Sequence, residues 1–157
     1  MKLKKNLRII DASNFTFNEL LKLNSFNNSM LIQSEDNQIL TKNNFKVVSK
    51  KKPNKSQFEN LILAFNLCRY VKSNAIVLVS NMSTVGIGSG QPSRLDSCKI
   101  AISKMNQFSR KKDEIVAASD AFFPFVDGIE QLVQSGISAV IQPAGSIRDK
   151  EIIKFAN

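Results

Sequence analysis

From residue 56 the apolar positions Phe58, Leu61, Ile62, Phe65, Cys68 and Val71 recur at steps of three and four. That is the spacing of one buried helix face, and it predicts a helix ending near Lys72. The run from Ala75 to Val79 is wholly apolar, as in a strand covered on both faces. Residues 81–83 mark a tight turn and 85–87 its hairpin partner. Ser93 stands where it can cap a second helix, whose inner face carries Leu95, Cys98, Ile102 and Met105. Residues 115–118 form the next strand, 128–134 a helix stopped by Gly136, 139–141 another strand and 148–155 a last helix. Nearer the start, 7–10 and 30–33 are short apolar runs around an Asn-rich segment expected to be partly helical at 18–23. Residues 39–40 and 45–48 read as extended chain before Pro53 breaks the pattern. Strands alternating with helices in this order give an α/β fold, a mixed sheet flanked by helices.

With 157 residues, 43% of them hydrophobic, the chain can bury one sizeable core, so a single domain over 1–157 is expected. No apolar run approaches membrane-spanning length, and the first residues, MKLKK, lack the apolar segment of a signal peptide. A soluble, cytoplasmic protein without membrane association is the expectation. Cys68 and Cys98 lie on helical faces with no CxxC spacing, and the sequence has no histidine. They read as buried free thiols, with neither disulfide nor zinc implied. The net charge of +9 invites a nucleic-acid reading. The lysines are scattered, however, and the chain has no RNP-like aromatic strand, helix-turn-helix signature or zinc-finger spacing, so no nucleic-acid partner is expected. A basic surface also attracts anionic metabolites.

Three segments carry candidate chemistry. In SDAFFPFVD (119–127) three phenylalanines and a proline follow a strand, where a loop is ordinarily polar. In open α/β sheets ligands sit at the carboxyl ends of strands, so these rings either face a flat ligand or plug the core. The run GIGSGQ (86–91) lacks the GxGxxG spacing of a dinucleotide fingerprint and reads as a turn, or as backbone approached closely by a ligand. Gln91 and Arg94 add an amide and a planar fork beside it. PAGS (143–146), before the last helix, is either a loop with a Ser cap or a set of exposed N–H groups.

Six blocks, KKNLRIID (4–11), ILTKNNFKVVSKKKP (39–53), YVKSNAIVL (70–78), TVGIGSGQPSRLDS (84–97), SDAFFPFVDGIE (119–130) and IQPAGSIRDKEII (141–153), resemble in order and spacing the transformylase domain of the bifunctional AICAR transformylase/IMP cyclohydrolase family. The resemblance implies the second of two cytidine-deaminase-like subdomains, without zinc; the zinc deaminases need His or Cys ligands, and no histidine is present. It implies transfer of a formyl group from 10-formyltetrahydrofolate to AICAR, giving FAICAR in purine (IMP) biosynthesis, with the cyclohydrolase in a separate domain. It implies roles residue by residue. Asn74 resembles the amide that contacts AICAR and the reacting formyl region, on its orienting or oxyanion side. Arg94 resembles the arginine on the AICAR carboxamide, and Phe122 the aromatic platform beneath AICAR. Leu95, Asp127, Ser146 and Ile147 resemble contacts of the folate pocket. A homodimer is implied as well. Structural explanations remain open for Asp127 and Ser146, each placed to cap a helix.

The family's catalytic lysine-histidine pair and its closing arginine-bearing strand have no counterpart here. The chain is therefore expected to be a fragment truncated at its carboxyl end and inactive in isolation. A non-catalytic folate or purine-nucleotide binding module is the alternative, and a basic nucleic-acid-associated protein a third reading.

Overall fold

The computed structural model describes residues 11, 13–14, 21–108 and 114–157. Composition leads to an expectation of one domain, whereas packing divides the chain into two compact units, residues 1–38 and 39–157. In the first, strands β1 (Lys22–Phe26) and β2 (Ser29–Gln33) form an antiparallel hairpin with Phe26 opposite Ser29. Asn27 closes the turn at φ 50°, a left-handed conformation that asparagine tolerates better than most residues. The expected helix around 18–23 is therefore corrected at Lys22 and Leu23, which are strand. The Asn-Asn pair works as a hairpin turn, and the residues on either side of it pair as strands. Residues 18–20, and the apolar run at 7–10, lie outside the described residues.

The second unit is a mixed sheet flanked by helices, as the alternation predicts. Its strands are β3 (Ile76–Ser80), β4 (Ser83–Gly88), β5 (Ile115–Ser119) and β6 (Ile137–Ile141), in spatial order β4-β3-β5-β6. β3 is antiparallel to both neighbours, while β5 and β6 are parallel. Helix α3 (Asp127–Gln134) makes the crossover that a parallel pair requires. Side chains alternate across the central strands. Ile76, Leu78, Ile115 and Ala117 join Cys98, Ala101 and Met105 of α2 (Arg94–Phe108), Ile129 and Leu132 of α3, and Ile152 of α4 (Asp149–Phe155) in one core layer. Val77, Val79, Val116 and Ala118 face Leu61, Ala64 and Cys68 of α1 (Lys55–Cys68) in the other. Both faces are covered, which is why β3 and β5 read as continuous apolar runs.

Local chemistry sets the boundaries. Asn54 caps α1 in a reciprocal pair with Gln57, each backbone N–H donating to the other's side-chain oxygen at 2.8–2.9 Å. The helix ends at Cys68, short of Val71. The β3–β4 turn places Asn81 and Met82 at φ 48° and 56°, the mirror-image turn that suits strand twist, and Met82 N–H donates to buried Asn60 Oδ1 at 2.8 Å. Residues 39–40 and 45–48 form no ladder. Leu40 instead exchanges two hydrogen bonds with the Asn66 amide, at 2.9 and 2.8 Å, and Lys42–Asn44 makes a 3-10 turn.

Candidate functional site

Strand register brings the sequence-selected segments to one edge of the sheet. Ile76 pairs with Gly88 on one side and Ser119 on the other, and Ala118 pairs with Ile141. The start of β3 therefore lies beside the ends of β4, β5 and β6. Asn74 precedes β3, Arg94 and Leu95 follow β4, Phe122 and Asp127 follow β5, and Ser146 and Ile147 follow β6.

At the centre of this edge Arg94, the first residue of α2, is held by three partners. Its Nη1 donates to Asp120 Oδ1 at 2.6 Å and to Ser119 Oγ at 2.8 Å, and its Nη2 donates to Asn74 Oδ1 at 2.7 Å. The Arg94–Asp120 pair is mostly withdrawn from water, with side chains 10% and 18% exposed. Asp120 accepts further hydrogen bonds from the Ser73 hydroxyl and, at 3.0 Å, from the Ala75 N–H. Burial alone would raise its pKa; the bonds from Ser73, Ala75 and Arg94, with the guanidinium charge, outweigh burial and hold the carboxyl below its ordinary 3.8. Asp120 is thus ionised at neutral pH. Asn74 Nδ2 donates to the main-chain oxygens of Gln91 and Pro92 at 2.9 and 3.1 Å. This fixes the sense of the amide, since a flipped group would set its oxygen against two carbonyls. Both Asn74 N–H groups are engaged, and what remains for a ligand is an oxygen lone pair. Arg94 has five N–H donors, of which three are occupied among the described residues.

The aromatic segment divides. Phe123 is 1% exposed and packs in the core, its N–H donating to Gln142 Oε1 at 3.1 Å, whereas Phe122 is 39% and Phe125 51% exposed. Core plug and exposed platform are both present, on neighbouring residues. Phe125 lies under the Arg148 guanidinium, 4.8 Å from ring centroid to Cζ. The helix begins at Asp127 itself, after Val126, and Asp127 Oδ1 accepts from the Gly128 N–H at 2.7 Å. One carboxylate oxygen of this exposed residue is left over. Ser146 Oγ accepts from the Arg148 N–H at 3.1 Å in a turn just ahead of α4, and Ile147 is fully exposed. Leu95 is half-buried on α2. Among the described residues none of Phe122, Asp127, Ser146 and Ile147 hydrogen-bonds to Asn74 or Arg94. An open depression of about 430 Å³, lined by Lys50, Lys150, Ile153, Lys154 and Asn157, contains none of the candidates.

The glycine run serves packing before anything else. A Cβ on Gly86 would stand 2.2 Å from the Ala101 oxygen, and one on Gly88 1.9 Å from the Ser97 oxygen, so β4 and α2 meet backbone to backbone. Gly90, at φ 67°, makes the turn that carries its N–H to the Lys72 oxygen at 2.8 Å. Cys68 and Cys98 are buried free thiols whose pKa is pushed up to about 12 by burial. No cluster of potential metal ligands occurs among the described residues, and no helix among them is long and apolar enough to cross a membrane. Asp120 and Ser119 stood inside the SDAFFPFVD block without a role in the sequence reading. Polar residues directly after a fully apolar strand are the signal that would have found them.

Residues 1–104 match the family model described as AICARFT/IMPCHase bienzyme. The chain belongs to that family. It is 44% identical over 156 residues to the bifunctional purine biosynthesis protein PurH of Buchnera aphidicola subsp. Baizongia pistaciae, an alignment covering 98% of this chain and 30% of that protein. PurH of Chlorobium phaeobacteroides is 42% identical over 154 residues, covering 98% of this chain and 29% of the relative. PurH of Persephonella marina is 42% identical over 155 residues, covering 98% and 30%. The chain thus spans about 30% of the length of these AICARFT/IMPCHase relatives. The family model covers Asn74, Arg94 and Leu95, and the alignments to PurH extend through the segment that holds Phe122, Asp127, Ser146 and Ile147.

Proposed function

We propose that this sheet edge is one part of a formyl-transfer site, in which the formyl group of 10-formyltetrahydrofolate passes to the 5-amino group of AICAR. Asn74, Arg94 and Phe122 face AICAR, and Leu95, Asp127, Ser146 and Ile147 face the folate. The observation that carries this reading is the pre-set Asn74–Arg94–Asp120 cluster. It offers guanidinium donors and an amide acceptor without needing to rearrange, and the exposed Phe122 follows two residues after Asp120.

The chemistry asks for those groups. The AICAR amine is a poor nucleophile because its lone pair is drawn into the imidazole ring and carboxamide. As the amine nitrogen bonds to the formyl carbon, the bond from that carbon to N10 breaks, one amine proton must leave, and N10 must gain one. Asn74 Oδ1 is an acceptor toward an amine N–H, which favours orienting the nucleophile over donating to the oxyanion. The unoccupied donors of Arg94 suit the carboxamide oxygen, and Phe122 offers a flat apolar face to the heterocycle. With no histidine in the chain, no side chain with an ordinary pKa near neutrality supplies the proton transfer. A folate or purine-nucleotide binding module without turnover is the second reading.

Calorimetric titration with AICAR and with a 10-formyl folate analogue tests the proposal. Folate is expected to bind weakly and AICAR more weakly, with no formyl transfer by the chain alone. Asp127→Asn should weaken the folate signal roughly ten- to a hundred-fold, the worth of about 1.5–3 kcal/mol for a charge-assisted hydrogen bond. Equal folate affinities would reduce Asp127 to a helix-start residue, and absence of binding by either ligand would sink the partial-site reading.

A further inference from the structure

Asp120 takes no part in the ligand contacts proposed above, yet it bonds Arg94 directly and the residues on either side of Asn74. Its N–H donates to the Ala75 oxygen at 3.3 Å, and its carboxylate accepts from the Ala75 N–H and the Ser73 hydroxyl. These bonds bracket Asn74 on both sides along the chain. Its Oδ1 also faces Arg94 Nη1 at 2.6 Å. Among the described residues Asp120 is the partner in the one ion pair that Arg94 makes. A guanidinium withdrawn from water requires such a counter-charge. The pairing also decides what the subsite can recognise. Arg94 alone would be a cation suited to a carboxylate, with two parallel N–H groups for two oxygens. Paired with an ionised Asp120, and with the Asn74 oxygen occupying one Nη2 proton, it is a neutral assembly. It offers leftover donors next to an acceptor lone pair, which complements an uncharged amide rather than an anion.

We propose that Asp120 is a positioning and specificity-determining residue: by neutralising and orienting Arg94 it makes the subsite select a carboxamide over a carboxylate. This rests on the reading of Arg94 as the group facing the carboxamide of the aminoimidazole ribonucleotide. A carboxylate in place of the carboxamide would bring a second anion against Asp120, leaving two carboxylates for one guanidinium.

The test titrates the 157-residue chain with AICAR and with the same ribonucleotide carrying a carboxylate for its carboxamide. Wild type should prefer the carboxamide by about tenfold or more. Asp120→Asn is nearly isosteric: its oxygen can still accept from Arg94 and Ala75, and its amide can donate to Ser73, so only the charge is lost. The preference should then collapse or invert. Asp120→Glu, which keeps the charge, should retain the preference even where both affinities fall. Arg94→Gln supplies a second readout that stands if Asp120→Asn fails to fold: with Asp120 left uncompensated, the carboxylate compound should be rejected more strongly than by wild type. A merely structural Asp120 would weaken both compounds equally, and unchanged selectivity in Asp120→Asn, or in Arg94→Gln, overturns the proposal while leaving the functional reading intact. If wild type binds neither compound, the functional reading itself fails and the selectivity proposal goes with it.

Discussion

Replacing Gly88 with alanine should loosen the whole unit formed by residues 39–157, although it adds a single methyl group. The new Cβ would stand 1.9 Å from the Ser97 oxygen, 2.7 Å from its carbonyl carbon and 2.9 Å from its Cα. Ordinary contact begins near 3.4 Å, so helix α2 must retreat by roughly 1.5 Å at this turn. All three atoms belong to the backbone, and no side-chain rotation relieves the clash. α2 also carries Cys98, Ala101 and Met105 into the core, so its retreat opens that layer along its length. The penalty belongs at or above the upper end of overpacking, about 3 kcal/mol, equivalent to a fall in Tm of roughly 10 °C for a unit of this size. The retreat also strains the 2.8 Å bond from Ser97 Oγ to the Asn74 main-chain oxygen, which helps to seat this residue, so ligand affinity should decline together with stability. Urea unfolding of wild type and Gly88→Ala, followed by circular dichroism, measures the first effect. A loss under about 0.5 kcal/mol, the scatter of ordinary surface substitutions, would refute the claim that the glycine is there for helix packing. Gly136→Ala is the control, since no atom lies within 4 Å of the added Cβ and only its left-handed backbone is strained.

The adjacent phenylalanines should separate by assay. Phe123→Ala should cost about 3–5 kcal/mol in a denaturation curve, whereas the exposed Phe122→Ala should cost less than about 1 kcal/mol yet abolish AICAR binding by calorimetry. Both thiols should resist iodoacetamide at pH 8 in the folded chain and react fully in denaturant. They titrate near 12 when folded against an ordinary 9.0, so their contribution to stability is complete below pH 9 and is lost as pH rises through the folded value, because unfolding releases their protons. Alkaline unfolding that is unchanged in a Cys68→Ala, Cys98→Ala double variant would refute this.

Periodicity was sufficient for the second unit's four helices and for its central strands β3 and β5, which are buried on both faces, but not for 39–48, where the expected extended runs form no ladder. The apolar runs at 75–79 and 115–118 and the Leu61, Ile62, Phe65, Cys68 stripe are local patterns whose cause, burial, acts residue by residue. The α/β class was likewise legible in the alternation of elements, whereas Asn74 was singled out by the family resemblance alone, which also gave Arg94 and Phe122 their expected roles. Residues 22–23 were misread because a hairpin turn and a helical Asn-rich segment look alike until partner strands are paired. Which phenylalanine faces inward was decided by tertiary structure, since Phe122 and Phe123 are chemically identical and differ only in the direction the chain takes after β5. The glycine run could be assigned to packing only once α2 lay across β4. Asp120 owes its part to long-range closure. The carboxylate meets Ser73, Ala75 and Arg94, residues 26 to 47 positions away, because β3 and β5 pair antiparallel in a register that no local pattern encodes.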